Sequence, residues 1–442
     1  MNRHSYNQGN TNSNVNDGDR KNKLESETNI GKQKSSNNSH KDFQRKTDVR
    51  ARIGSDHGTK ENTEDFTLFP TDKIKAHIEH HRDQIISHLK MSLELTGKTG
   101  PIKNVYHVPG YNQHAAFNSY SSRRGGPPTM NAKELILDAA KKIRLNTFLR
   151  DDSFFNKLQL GPYLPEREIE ILTNTKSKML SDKKEKKSRS SNKNGLISKS
   201  CTAYKYSSCG VVSSAGSLLH SGLGKDIDSN DYVIRFNNAP LKGYEKDVGN
   251  KTSLRIVNSQ VVGKPEFGFL DDRKTKDLYT KTPVLVWDPS NYNASLEEWY
   301  SSPDFPFFET YFKKRLMRPD SEVHLLDPRS LWSIWDWLQS IQGNSLLMPN
   351  PPSSGFLGLM LAVFNCEKVN VYEFVPSTRM TKRCHYYDNQ QNIGCTIGDW
   401  HPLAAEKLAA LRMNVGNDTQ VFKDGYLTIP GVLSLKSEKC PS

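Results

Sequence analysis

The stretch Cys209–Asn238, CGVVSSAGSLLHSGLGKDIDSNDYVIRFNN, decides the fold class. "CGVV" is a short apolar run that stops at the small-residue loop "SSAGS". "LLHSGLGKDI" reads as a short helix, and "DYVIRFNN" contains a second apolar run of strand length. Strand, loop, helix and strand in this order make a β-α-β unit, which favours a parallel sheet. Two further runs, "SLRIVNS" at 253–259 and "TPVLVWDPS" at 282–290, continue the pattern. Each run ends on small polar residues: Ser213 and Ser214, Asn237, Asn258, Asp288. In an open α/β sheet, the carboxyl ends of neighbouring strands border the ligand crevice, so these residues are candidates to line a pocket. Turn chemistry favours the same residue types, and both readings stay open at this point.

C-terminal to this unit, "PNPPSSGFLGLMLAVFNC" (349–366) places three prolines and two serines before an apolar run. Proline stops an earlier helix, and Ser353 or Ser354 is a good N-cap. A helix start also offers unpaired N–H groups and positive dipole to an anion, so a phosphate site is the sharper alternative. A strand, "KVNVYEF", follows at 368–374. Then comes a loop bracketed by Cys384 and Cys395, suited to a local disulfide, and His401 just before a new helix carrying Glu406 and Lys407.

Outside this region the chain changes character. Of its 442 residues 35% are hydrophobic, low for a fully globular chain, and the net charge is +13. The charge does not form a nucleic-acid-reading motif: its densest run, "KKEKKSR" (183–189), lies in Ser/Asn/Lys-rich sequence without aromatics. Residues 1–66 are Asn-, Ser- and Lys-rich without periodicity and read as disordered. From Thr71, an amphipathic helix carries Ile74, Ile78, Ile85, Leu89 and Leu93 on one stripe. His77, His81 and His88 share one face of it, but no H-E-x-x-H motif completes a zinc site. Residues 96–130 read as a Gly/Pro-rich linker, and a helical segment opens near residue 131.

All six cysteines, at 201, 209, 366, 384, 395 and 440, lie in the C-terminal 242 residues, and none forms a C-x-x-C pair. This points to disulfides and an oxidising compartment. Sequons at Asn37, Asn250, Asn293 and Asn417 fit a secretory route. No apolar run reaches the length of a membrane span.

At these residues the sequence resembles the animal sialyltransferases of glycosyltransferase family 29, most closely the β-galactoside α-2,6 branch. Their large motif is similar to Cys209–Gln260, the small motif to Asn350–Phe374, the third to "HYYD" (385–388), and the H-x4-E motif to His401–Glu406. "VWDPS", "WYSSPDF" and "LWSIWDWLQ" also resemble the α-2,6 branch. The resemblance runs from about residue 131 to the C-terminus. It divides the chain into a low-complexity N-terminus (1–66), a stem-like helix and linker (67–130) and a catalytic domain (131–442) with a basic insertion at 176–199.

The resemblance implies an α/β fold: a single Rossmann-like, mostly parallel sheet flanked by helices, a GT-A-like variant braced by disulfides. It implies inverting, metal-independent transfer of sialic acid from CMP-sialic acid to O6 of terminal galactose on glycoprotein or oligosaccharide acceptors. No cofactor, metal ligand or nucleic-acid partner is expected. By motif, Ser214, Asn237, Asn258, Ser353, Ser354, Gly355, His385, Thr396, Trp400 and Lys407 would bind the donor. Gln260 and Asp304 would hold the acceptor galactose, and His401 would be the general base. "DID" (226–228) matches a metal-binding D-x-D by letter but lies between a helix and a strand, where a structural role is expected. Family pairing implies Cys209–Cys366 and Cys384–Cys395 bridges, and a shifted Cys201–Cys440 bridge completes the set. His385 and Trp400 stand where α-2,6 relatives carry Tyr, which bears on donor fit or acceptor choice. Relatives are type II Golgi membrane proteins, and the missing anchor here is read as an incomplete or alternative N-terminus. The competing readings are another linkage or acceptor (GalNAc, or sialic acid itself), an inactive CMP- or glycan-binding homologue, and nucleic-acid binding through the basic segments.

Overall fold

Alternate residues of the central strands are buried on opposite faces of one sheet. Val211, Ile234, Ile256 and Leu285 join the largest core cluster, whereas their neighbours Val212, Val233, Val257 and Val286 enter two others. A strand buried on both sides must be apolar throughout, which is why the sequence shows continuous runs there and no alternation. The structure is a computed structural model and describes residues 71–96, 106, 129–172, 206–271, 278–343, 345–392, 394–397 and 400–436. The low-complexity N-terminus (1–66), the insertion at 176–199 and the Cys201–Cys440 bridge lie outside these residues.

Among the described residues the strands are β1 (Tyr206–Val212), β2 (Tyr232–Phe236), β3 (Leu254–Asn258), β4 (Val284–Trp287), β5 (Val323–Leu325), β6 (Cys366–Tyr372) and β7 (Tyr426–Pro430). Their order is β5-β4-β3-β2-β1-β6-β7, parallel except that β7 runs antiparallel to β6. The chain steps outward in one direction from β1 to β5 and then returns to the other side of β1 with β6. The carboxyl ends of β1 and β6 therefore flank a topological switch point, where a ligand crevice opens.

The helices that shape the site are α1 (Thr71–Thr96), α2 (Ala132–Lys142), α3 (Gly224–Asp228), α4 (Ser259–Gly263), α5 (Leu296–Ser301), α6 (Arg329–Ile341), α7 (Ser354–Asn365) and α8 (Leu403–Met413). Helix α7 is apolar all round because it is buried all round, against the sheet and under the short helix at Val432–Lys436. Gly358 lets it approach: a Cβ there would come within 2.7 Å of the Phe236 ring on β2. A disulfide joins Cys209 of β1 to Cys366 at the start of β6.

Two local readings are refined. The expected helix over "LLHSGLGKDI" is confined to α3, preceded by a 3-10 turn at Gly216–Leu218. His220 and Gly222 between them have φ of +64° and +68°, which no helix accommodates, and the Asp247 carboxylate accepts both of their N–H groups. In "DID", the Asp228 carboxylate accepts from the backbone N–H groups of Asn250 and Lys251, so it holds a turn.

Helix α1 is docked. Ile78, Ile85, Leu89 and Leu93 are buried in the same cluster as α7 and α8. Arg82 pairs with Asp418 at 2.5 Å, and His81 Nε2 lies 3.2 Å from the Pro376 carbonyl, which fixes this histidine against the protein body. Among the described residues no helix is long and apolar enough to cross a membrane.

Candidate active site

Turn and cap chemistry shapes the strand ends first. Asn237 ends β2 in the left-handed region at φ +47°, a conformation asparagine tolerates better than most residues. Buried Arg255 holds the backbone there, donating to the carbonyls of Asn237 and Ala239. The Asn237 side-chain oxygen accepts from the Asn258 N–H at 3.1 Å, and the Asn258 side chain caps α4 by accepting from Val261. Each amide uses its oxygen on the scaffold, and both residues line a cavity. The turn reading and the pocket reading of these residues hold together.

That cavity, of about 260 Å3, collects most of the residues expected to bind the donor. Ser214, Asn237 and Asn258 come from the strand ends. Ser353, Ser354 and Gly355 come from the start of α7, and His385 and Thr396 from the loop closed by the Cys384–Cys395 disulfide. Lys407 reaches in from α8. The third motif is stitched to the β1 loop by Tyr386 N–H donating to the Ser214 carbonyl. His385 lies with Nδ1 2.6 Å from the Asp388 carboxylate and its ring stacked on Tyr387.

The two serines at the helix start are not equivalent. Ser353 is the N-cap: its hydroxyl accepts from Phe356 N–H and donates to Glu406 at 2.6 Å. Ser354 Oγ accepts from the Trp287 indole, so its own proton is left to donate. Burial pushes the Glu406 carboxyl up to about 7, opposed by the Ser353 hydrogen bonds and the Lys407 charge. Burial likewise pushes Lys407 down to about 8, opposed by the charges of Glu406 and Glu373. Its ammonium donates to the Phe374 carbonyl and stands over the Phe374 ring.

A second cavity, of about 350 Å3, is lined by Gln260, Asp304, Phe305, Trp287 and Pro289, together with Trp400. Trp400, expected among the donor-binding residues, lines this second cavity, its ring edge-on to His401 with centroids 4.4 Å apart. Asn258 and His401 line both cavities. His401 Nδ1 is 2.8 Å from the Pro351 carbonyl. A carbonyl can only accept, so Nδ1 carries the proton and Nε2 is the basic nitrogen. Burial pushes the imidazole down to about 4, partly offset by the Pro351 carbonyl, so it is neutral near pH 7.

Of three further contributors, two were not anticipated. Tyr106, from the segment read as a linker, is buried between Trp332 and Trp400 and donates to Asp304 at 2.9 Å. Glu373 follows β6 at φ +47° and is buried, accepting from Ser217, Ser377 and Arg379, which fixes the loop at the first cavity. Asp288 closes β4 beneath the second cavity. The strand-end pattern signalled Asp288, whereas Tyr106, one of three tyrosines in the 96–130 segment, carries no signal of its own.

The model of glycosyltransferase family 29 (sialyltransferase) matches residues 153–415. A zebrafish (Danio rerio) protein named beta-galactoside alpha-2,6-sialyltransferase 2 is 46% identical over 50% of this chain and 42% of its own length. The rat (Rattus norvegicus) protein of the same name is 35% identical over 77% of this chain and 57% of its own. The chain therefore spans about half the length of the curated relatives it matches. A mammalian sialyltransferase solved with Gal-beta-1-3GalNAc-ortho-nitrophenol aligns over 70% of this chain and 95% of its own, at 17% identity and a TM-score of 0.35. With more than half of its residues under the family model, the chain belongs to glycosyltransferase family 29, the sialyltransferases.

Proposed function

We propose that this chain transfers sialic acid from CMP-sialic acid to O6 of a terminal galactose on glycoprotein or oligosaccharide acceptors, with inversion and without a metal ion. The observation that carries the reading is a neutral imidazole with a free Nε2 on the shared wall of two cavities. The donor-side cavity suits a nucleotide monophosphate. It offers the Ser354 hydroxyl, the N–H groups at the start of α7, and Lys407. The other cavity offers Gln260 and Asp304, an amide and a carboxylate suited to sugar hydroxyls.

In this reading the donor lies with its phosphate at the α7 start and its sugar toward His401. CMP leaves, the anomeric carbon gains oxocarbenium character, and the acceptor O6 attacks from the opposite face. His401 Nε2 removes the O6 proton as the bond forms. The donor's phosphate and carboxylate are anions, and their arrival raises the imidazole pKa toward the range in which a base works well at neutral pH. The positive end of α7 and Lys407 stabilise the departing phosphate. The relatives' names support the α-2,6 linkage, and family membership supports a Golgi, membrane-anchored setting for the whole protein.

The deciding experiment incubates the purified chain with CMP-sialic acid and galactose- or GalNAc-terminated acceptors in the presence of EDTA, and determines the linkage formed. An α-2,6-sialylgalactose product that survives EDTA is expected. Product of another linkage overturns the branch assignment, and loss with EDTA overturns the metal-free mechanism.

A further inference from the structure

The carboxylate of Asp288 is fully buried at the carboxyl end of β4, directly behind the acceptor-side cavity. Its Oδ2 accepts two hydrogen bonds, from Trp299 Nε1 at 2.8 Å and from the backbone N–H of Asp304 at 3.1 Å. Burial pushes the carboxyl up to about 6, opposed by Ser259 at the start of α4 and by Trp299, and Oδ1 has no hydrogen bond of normal geometry. A buried carboxylate with an unsatisfied oxygen costs stability, and a purely structural acceptor for two N–H groups could be neutral. Asp304 is the opposite kind of residue: exposed to the cavity, on the turn "SSPDF" between α5 and the next helix, with no regular structure to hold it. Two contacts fix that turn. Tyr106 holds the side chain from one side, and Asp288 holds the backbone from the other.

We infer that Asp288 is a positioning residue for the acceptor: by clamping the Asp304 N–H to the end of β4, it sets where the Asp304 carboxylate meets the acceptor sugar. The inference rests on the reading of Asp304 as an acceptor-binding group. Neither hydrogen-bond donor to Asp288, Trp299 nor Asp304, lines the donor-side cavity, so the effect of losing the clamp falls on one substrate. A fixed turn presents the Asp304 oxygen at one distance from a sugar hydroxyl, and a loose one spreads it over several, which weakens acceptor binding and blurs selection between epimers.

The test compares Asp288→Ala, Asp288→Asn, Trp299→Phe and Asp304→Ala for acceptor KM, donor KM and CMP affinity. Asp288→Ala is expected to raise acceptor KM about tenfold, with donor KM and CMP affinity within twofold of wild type. Asp288→Asn keeps a carbonyl oxygen for both N–H donors and should restore acceptor KM to within threefold. Trp299→Phe removes the indole donor but leaves the Asp304 link, and should leave acceptor KM near wild type. An Asp288→Ala enzyme with wild-type acceptor KM, or one whose donor KM rises equally, overturns the inference. If Asp288→Ala proves too unstable to bind CMP, Asp288→Asn decides: a tenfold rise in its acceptor KM shows that the charge acts directly and that the clamp does not. Failure of the underlying reading looks different, because Asp304→Ala itself would then leave acceptor KM unchanged.

Discussion

Glu406 accepts from both the backbone N–H and the hydroxyl of Ser353, at 2.7 and 2.6 Å, across 53 residues of sequence. This one carboxylate fastens the start of α8, which carries Lys407 and follows His401, to the start of α7. His401, the Lys407 ammonium and the N–H groups at the start of α7 are thereby set in one frame.

Because Ser353 is fully engaged with Phe356 and Glu406 while Ser354 retains a donor, the two serines separate on mutation. Ser353→Ala is expected to lower stability by about 1–2 kcal/mol through loss of a cap and of a partner for a buried carboxylate. Ser354→Ala is expected to weaken CMP binding about tenfold, the effect of one charge-assisted hydrogen bond of about 1.4 kcal/mol. Denaturant unfolding and CMP titration of both variants check the pair, and equal effects on both measurements would contradict the division of labour.

Glu406 also makes a prediction about pH and stability. Its folded pKa of about 7 lies above the ordinary value of 4.5, so across that window the folded chain binds a proton that the unfolded chain has released. This group's contribution to stability is therefore full below pH 4.5 and is lost as pH rises toward 7. Glu406→Gln should flatten that slope in unfolding curves recorded from pH 4.5 to 7.5.

For His401 the sign is set by the base needing to be neutral. An ordinary histidine would give an acid limb in kcat/KM near pH 6.5. With burial pushing the free-enzyme imidazole down to about 4, its acid limb should fall well below pH 6. His401→Ala should cost about 10²–10⁴ in kcat while CMP still binds. A limb at pH 6.5 that disappears in a His401 variant would show that the imidazole is less shielded than its surroundings indicate.

The sheet was legible because burial on both faces writes uninterrupted apolar runs, and Ser214, Asn237, Asn258, Ser353 and Ser354 were legible as pocket candidates because strand ends and a helix start carry small polar groups. What could not be read was which partner each group takes. The stripe of α1 showed that Ile78, Ile85, Leu89 and Leu93 would be buried, but a stem helix and a docked helix have the same periodicity, and the body it docks on is assembled from residues hundreds of positions away. Tyr106 illustrates the same limit: a hydrogen bond to Asp304 spans 198 residues and leaves no local pattern. The unequal roles of Ser353 and Ser354 depend on Glu406 and Trp287, which adjoin them only after folding.

Docking of α1 predicts that a truncated chain beginning at residue 129 is damaged twice. It exposes the apolar surface that four buried side chains of α1 cover, each contributing about 1.5–3 kcal/mol, and it removes Tyr106 from Asp304. Lower thermal stability and a raised acceptor KM are expected together. Tyr106→Phe in the full chain should raise acceptor KM several-fold without the loss of stability. A truncated chain as stable as the full one would show that α1 contributes little to the body.

The two disulfides should fail in different ways. Cys209–Cys366 closes 157 residues, and loop-closure entropy gives it a stabilisation of about 5 kcal/mol; Cys384–Cys395 closes 11, worth about 3 kcal/mol. The first joins adjacent parallel strands that the sheet already holds in register, so its loss acts mainly on the unfolded chain and leaves the site intact. The second lies on the wall of the donor-side cavity and fixes the loop that carries His385 and Thr396, with little regular structure to replace it. Replacing Cys209 and Cys366 by alanine should therefore lower Tm strongly while donor KM at a permissive temperature stays near wild type. Replacing Cys384 and Cys395 should lower Tm less and raise donor KM about tenfold. Measured side by side, the larger stability loss and the larger donor KM effect should fall on different bridges; if both fall on Cys209–Cys366, the clamped loop is not what holds the donor.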